Sequence, residues 1–478
     1  MDKIKYKKID EGLFLNFYGG AESVTGSNFV LDYVSKENFD NKKGATLRIM
    51  VDCGLTQGAH YGKPEDDPNR QPFEYDPSTI DFLIVTHAHA DHIGRIPKLV
   101  KDGFRGKIYS TPTTQELTRV MFDDAVSVVS NFAKEHNIEP TYQKKDADLA
   151  LSLWETVPYH QDFDLNDKFS FHFKDAGHIL GSAIVYIKDK ENSKNIVFTG
   201  DLGNTPTPLI RDTEPVEDAD FLIMESVYGD RNHEGKSERK LKLKETINRV
   251  IQRKGTLLIP VFSLEKTQVL LHEMNDLIES GEVESFPVFF DSPLGIKLTE
   301  VYAQQFQNFN EKVQERIKSG DDIFDFPKLK KTYDRKESMQ IHRTQGPKII
   351  VASSGMSIGG RIMDHEKRYL ADHKNAILFI GYQVPGTLGR AIKEGSKTVM
   401  IDRKKVSIGA EVDVVNGYSS HKDSDNLLEF ALGSEGRVKK IFVVLGESKS
   451  AMYLTQRIRD NSDINAVHPQ DGERVKLY

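Results

Sequence analysis

The sequence predicts an α/β protein with more than one domain, on three observations. Short apolar runs recur along the chain, and several end in an acidic or histidine residue, as strands do when they deliver side chains to a rim. From about residue 229, apolar strands alternate with amphipathic helices, the pattern of a parallel sheet. The length, 478 residues, exceeds what one core ordinarily organises.

In order, the first strands are 14–18 and 27–31, around a turn opened by Gly19-Gly20. Residues 37–43 form a mostly polar turn containing Phe39, and 47–51 is a strand that ends in Asp52-Cys53-Gly54. Residues 57–78, with Pro64, Pro68, Pro72 and Pro77, are an irregular excursion. The strand 82–85 then leads into Thr86-His87-Ala88-His89-Ala90-Asp91-His92, three histidines and an aspartate in six residues. A helix begins at 96–100, a short strand is 107–109, and helices cover 113–133 and 147–155, the second holding Trp154.

Phe169, Phe171 and Phe173 alternate with polar residues, which predicts a half-buried strand. It runs into a turn where Gly177 and Gly181 flank His178 and allow the ring to be aimed inward. Strand 195–199 delivers Asp201, and 221–224 delivers Glu225. Further strands are expected at 256–260, 287–291, 348–352 (followed by Ser353-Ser354-Gly355) and 376–380. An amphipathic helix covers 264–280, and the charged segment 308–336 reads as a peripheral helix and loop. After 416 come Ser420-His421, a helix at 427–432, a strand at 440–444 and a final helix at 451–459.

Imidazole and carboxylate are ligands for zinc and similar divalent ions. His87 and His89 are spaced to reach one ion, with Asp91 and His92 facing a second. An aspartate after a strand is more often a cap than a ligand. Asp52, residues 87–92, Asp201 and Glu225 each follow an apolar strand, however, and His178 lies in a glycine turn after one. Together they describe strand ends converging on one metal site, with Asp52 bracing the histidine loop.

Composition narrows the setting. Hydrophobic residues make up 38% and charged residues 29%, and 65 basic residues against 72 acidic give a net charge of -7. That lacks the basic footprint of a non-specific nucleic-acid binder, although it says little about a local groove. The single cysteine, Cys53, excludes an intrachain disulfide and suits a reducing, cytoplasmic setting. Residues 1–8 have no apolar core, so no secretory signal is expected. No apolar run approaches about 18 residues, so no membrane span is expected.

The His-x-His-x-Asp-His pattern of residues 87–92 resembles that of the metallo-β-lactamase superfamily. The resemblance narrows to its β-CASP branch of nucleic-acid hydrolases through residues 21–27 (Ala-Glu-Ser-Val-Thr-Gly-Ser), Asp52, His178, Asp201, Glu225 and Ser420-His421. Asp291-Ser292-Pro293, Gly355-Met356 and Gly381-Tyr382 look like signatures of that branch's inserted domain. The implied fold is an αββα sandwich over 1–228 and 416–478, with an inserted α/β domain over 229–415.

The resemblance implies metal-assisted phosphodiester hydrolysis, with hydroxide from a metal-acidified water as nucleophile. His87, His89 and His178 would hold one Zn2+ and Asp91 with His92 the other, Asp201 bridging. Asp91, His421 and Glu225 are the implied catalytic residues, His421 protonating the leaving oxygen and Glu225 orienting it. Ser353, Ser354, Gly355 and Ser420 are candidate substrate contacts. The expected partner is nucleic acid, single-stranded RNA first, and a homodimer is left open. An RNA endonuclease is the leading reading; a 5′-exonuclease, a DNA nuclease or a binding homologue without activity are the alternatives. One departure bears on these: where RNA-cleaving members have a histidine, this turn reads Val444-Leu445-Gly446-Glu447, which predicts a weakened second metal site. Glu265-Lys266 also replaces the Gly-Arg of many relatives.

Overall fold

The computed structural model describes residues 11–40, 44–57, 64–384 and 386–478. The expectations for 1–8, and parts of those for 37–43 and 57–78, lie outside the described residues. The chain opens with strands β1 (Gly12–Gly19), β2 (Asn28–Val34), β3 (Leu47–Val51), β4 (Phe82–Ile84), β5 (Lys107–Ser110) and β6 (Trp154–Thr156). Next come β7 (Phe163–Asp164), β8 (Phe169–Asp175), β9 (Ala183–Asp189), β10 (Lys194–Phe198) and β11 (Phe221–Glu225). A third group is β12 (Thr256–Pro260), β13 (Val288–Asp291), β14 (Leu329–Lys331), β15 (Lys348–Ala352), β16 (Ala376–Phe379), β17 (Thr398–Ile401), β18 (Lys404–Ser407) and β19 (Glu411–Val414). The last strands are β20 (Lys440–Val444), β21 (Ala466–Val467) and β22 (Arg474–Lys476).

These strands make two mixed seven-stranded sheets, ordered β22-β1-β2-β3-β4-β5-β6 and β21-β20-β11-β10-β9-β8-β7. Their inner faces share one core, in which Leu15, Phe17 and Ile49 meet Phe171, Phe198 and Phe442. Helices cover both outer faces. Leu99 and Leu117 pack with Met50 and Leu83 of the first sheet, and Leu427 and Leu454 with Leu222 and Val443 of the second. The result is an αββα sandwich. A third sheet, β14-β13-β15-β12-β16-β19, is parallel throughout. One face of it joins the core beneath the helices Pro112–His136 and Pro293–Gln304.

The structure corrects four local expectations. The helix placed at 147–155 is Lys144–Ser152, and Trp154 lies in β6, its indole N–H donating to Ser110 Oγ at 2.9 Å. Bulky residues there gain more from pairing with β5 than from another helical turn. The segment 308–336 is not only peripheral: Phe309, Phe324 and Phe326 are buried and β14 closes a sheet edge, where its lysines suit a protected edge strand. The hairpin β17–β18 was not anticipated. The chain does not end on a helix, since β22 pairs antiparallel with β1. Among the described residues, no helix is long and apolar enough to cross a membrane.

Candidate metal centre

The histidine stretch leaves β4 and becomes the short helix Ala90–Ile93, so His87 and His89 precede it and Asp91 and His92 lie on it. Gly54 lets the strand ends close up: a side chain there would collide with the Asp91 carbonyl. Asp52 is buried behind the loop. Its Oδ2 is 2.7 Å from His92 Nδ1, and its Oδ1 accepts the Thr86 backbone N–H at 2.9 Å. The Thr86 hydroxyl, 2.9 Å from Asp52 Oδ2 and 3.0 Å from His87 Nδ1, ties the two histidines to one carboxylate.

His178 is held by its own turn. Its backbone N–H donates to Ser182 Oγ, and its Nδ1 lies 3.3 Å from the Ser420 carbonyl. A carbonyl only accepts, so the proton is on Nδ1 and the Nε2 lone pair faces inward. That Nε2 is 3.2 Å from His89 Nδ1, which is 3.1 Å from His87 Nε2. Asp201 Oδ2 completes the group at 3.4 Å from His87 Nε2 and 3.5 Å from His178 Nε2. Four donors about 2.05 Å from one ion in tetrahedral array would stand roughly 3.3 Å apart, so the set fits a metal of zinc's size.

A second observation points beside it. His92 Nε2 and Asp201 Oδ1 are both buried without a hydrogen-bond partner among the described residues, 3.4 Å apart. Unpaired buried polar atoms are costly, and a cation shared between them removes the cost. Asp201 thereby turns one oxygen to each position. Asp91 is close enough to sense His92, Asp201 and His87 electrostatically, and burial raises its pKa. It lies outside the tight four-donor group.

Burial drives His87 below the usual imidazole pKa, and His89 and His178 well below it, so all three rings are neutral as ligands require. His92 goes the other way: burial opposes its charge, but Asp201 and Asp52 outweigh burial and raise its pKa well above the ordinary value. Burial likewise works against the Asp201 carboxylate, and His92 and His421 more than offset it, leaving its pKa well below the carboxylate range.

Glu225 and His421 form a second group with Asp201. Glu225 is fully buried at the end of β11; its Oε1 accepts the Leu202 backbone N–H at 2.6 Å and stands 3.2 Å from His421 Nδ1. The His421 side chain is 17% exposed. Burial opposes its charge, while Glu225 and Asp201 outweigh burial and raise its pKa above the ordinary imidazole value.

The other candidates fall into two places. Ser420 is on the rim through its carbonyl. Ser353, Ser354 and Gly355 follow β15; Ser353 Oγ pairs with Ser292 Oγ at 2.7 Å, and Gly355 lies against the Phe262 ring. No hydrogen bond among the described residues joins these three to the histidine cluster. Leu445 is buried in the core between the sheets, its backbone N–H donating to the Gly20 carbonyl at 2.7 Å. Thr86 and Ser182 were not singled out for the site from sequence. They are ordinary turn residues whose roles appear only once the strands are packed.

An αββα sandwich with a histidine-rich rim and an inserted parallel sheet defines the class, and comparison with known proteins agrees. Family models match a metallo-β-lactamase superfamily domain at 42–208, a β-CASP domain at 267–392 and a Zn-dependent metallo-hydrolase RNA specificity domain at 405–469. The chain belongs to the β-CASP branch of the metallo-β-lactamase superfamily. It is 31% identical to ribonuclease TTHA0252 of Thermus thermophilus, over 91% of this chain and 94% of that one. It is 30% identical to an RNase J-like protein of Methanocaldococcus jannaschii, over 96% and 99%. With transcription termination factor FttA of Methanosarcina mazei the identity is 29%, over 98% and 72%. A crystal structure of a protein of unknown function from Enterococcus faecalis shares the fold, with a TM-score of 0.53 at 11% identity, over 97% and 100%. The superfamily implies divalent-metal binding, and the His87, His89, His178 and Asp201 cluster could hold such an ion.

Proposed function

We propose that the protein hydrolyses phosphodiester bonds in single-stranded RNA, as an endonuclease. The carrying observation is the convergence of His87, His89, His178 and Asp201 at the spacing of a tetrahedral ion, with the Glu225–His421 pair alongside. His87, His89 and His178 would hold one Zn2+ and Asp91 with His92 the second, Asp201 shared. Bound ions supply an acidified water and offset charge on phosphoryl oxygens. The chain's own residues do the rest. Asp52 and Thr86 fix the ring orientations of His87 and His92. Glu225 holds His421 through Nδ1, which leaves the opposite ring edge free to deliver a proton to the departing oxygen. RNA is preferred over DNA because two relatives are named as ribonuclease or RNase J-like, another as a transcription termination factor, and the 405–469 model as an RNA specificity domain.

The test incubates end-labelled single-stranded RNA and matching DNA with zinc-loaded protein and with Asp91→Ala. Internal fragments from RNA with wild type alone support the reading. Equal cleavage by the variant overturns the site assignment, and stepwise loss from the 5′ end replaces endonuclease with exonuclease. RNA binding without cleavage by wild type would favour the second reading, a binding homologue, which the buried, donor-less Leu445 motivates.

A further inference from the structure

The inserted sheet has two faces. Ile259, Phe290 and Val351 pack into the core shared with the sandwich helices, whereas Leu258, Phe289, Ile350 and Ile377 face the other way, under Ile341, Ile362 and Leu370. On that second face, between the helices Arg335–Gln340 and Ile362–Tyr369, lies a pocket of about 730 Å3. Its walls carry Arg335, His342, Arg361, Lys367 and Arg368, and a single acid, Asp364. It shares no lining residue with the spaces that border His178 and Ser419.

The floor of this pocket is held rigidly. Asp291, fully buried at the end of β13, accepts the Thr332 and Ser338 hydroxyls at 2.6 Å each and pairs with Arg361 and with His365 Nε2, the latter at 2.7 Å. Arg361 also donates to the Tyr333 carbonyl at 3.0 Å. One carboxylate thus ties both helices to the sheet. On the walls, Lys367 takes Asp364 at 2.7 Å and also meets Asp402. Arg335, His342 and Arg368 are exposed and have no ion pair among the described residues. In a chain of net charge -7, two arginines and a histidine crowd one pocket whose only acid is already taken. Clustered cations repel one another until an anion sits among them. Guanidinium is the group that takes phosphate oxygens in pairs. Met339, 62% exposed on the same wall, sets an apolar surface beside the charges. The volume falls inside the range of small-molecule sites.

We propose that this pocket binds a small molecule bearing a polyphosphate group, of nucleoside-polyphosphate size, with its phosphates bridged between Arg335 and Arg368 and the remainder lying along Met339. The site is separate from the metal centre, and its occupancy does not depend on the hydrolase reading. The test labels the arginines of zinc-loaded protein with phenylglyoxal and reads each position by mass spectrometry. ATP and tripolyphosphate, each with equimolar magnesium to spare the bound zinc, should slow labelling of Arg335 and Arg368 but not of Arg437, which stands by Asp220 outside the pocket. Adenosine, and sodium chloride at matched ionic strength, should protect neither arginine. In calorimetric titrations with magnesium ATP, Arg335→Ala and Arg368→Ala should each weaken binding about ten- to a hundredfold, the size of one charge-assisted contact. Neither side chain has an ion pair to lose, so Tm should stay at the wild-type value and separate lost binding from lost folding. Labelling unchanged by ATP and tripolyphosphate, or an ATP affinity untouched by both variants, would overturn the site. Protection by single-stranded RNA alone would make the pocket a nucleic-acid surface and overturn the small ligand.

Discussion

Asp52 Oδ2 lies 2.7 Å from His92 Nδ1, and this contact fixes which His92 nitrogen faces Asp201. Asp52→Asn keeps the shape but loses the anion that anchors the ring. Such supporting carboxylates are typically worth about 10–100-fold in metal affinity. Zinc titration with a competing chelator should show a loss of that order at one ion position, with the fold intact by circular dichroism. Unchanged affinity would mean that Thr86 alone sets the loop.

Glu225 and His421 should behave as a unit. Glu225→Gln removes the charge behind the ring, and His421→Ala removes the ring. Each should lower kcat, His421→Ala by about 10²–10⁴ as expected for a positioned acid. The double variant should be no slower than His421→Ala alone, because Glu225 acts only through His421. Metal content should stay at the wild-type level throughout; independent, multiplying losses would separate the two residues.

The histidine rim and the acidic strand ends were legible because each is written locally: an apolar run, then a ligand-type residue; the αββα sandwich was expected only through the family resemblance those residues carry. What stayed hidden depends on partners far away. Nothing around Leu329 announces a strand, since β14 exists only because β13 offers an edge to it. The β17–β18 hairpin turns on Asp402 and Arg403, both with positive φ, where asparagine and glycine would have signalled it. Thr86 is an ordinary residue until Asp52 and two histidines close around its hydroxyl.

Glu265 offers a pH test. Burial raises its carboxyl to about 7 while Tyr302 donates a hydrogen bond to it at 2.7 Å. A carboxyl with a raised folded-state pKa binds its proton in the native chain where the unfolded chain has lost it. Stability therefore falls as pH rises from about 4.5 to about 7, by on the order of 3 kcal/mol at most, and is flat above. Glu265→Gln removes that loss. Its Tm should exceed wild type at pH 8 and match it near pH 4.5; a constant difference at both would show that the carboxyl is ionised when folded.

Leu445 tests the incomplete second position. Wild type should carry fewer than two equivalents of zinc after dialysis, and Leu445→His should carry more. The replacement should also cost about 1–3 kcal/mol, because it puts a polar ring into the core between the sheets, where the leucine side chain abuts Gly20. Two full equivalents in wild type would contradict the weakened site.

Glu225 and His421 meet across 196 residues, whereas the tight four-donor group lies wholly between positions 87 and 201. Closing the longer loop carries an entropic cost of about 4–5 kcal/mol, and bringing Asp201 back to His87 costs about 4 kcal/mol, so neither group forms cheaply. The cradle also leans on the returning segment, because the Ser420 carbonyl stands 3.3 Å from His178 Nδ1. The turn at Ser420-His421 therefore serves both halves of the centre, and a change that shifts it reaches one of the metal's rings as well as the acid.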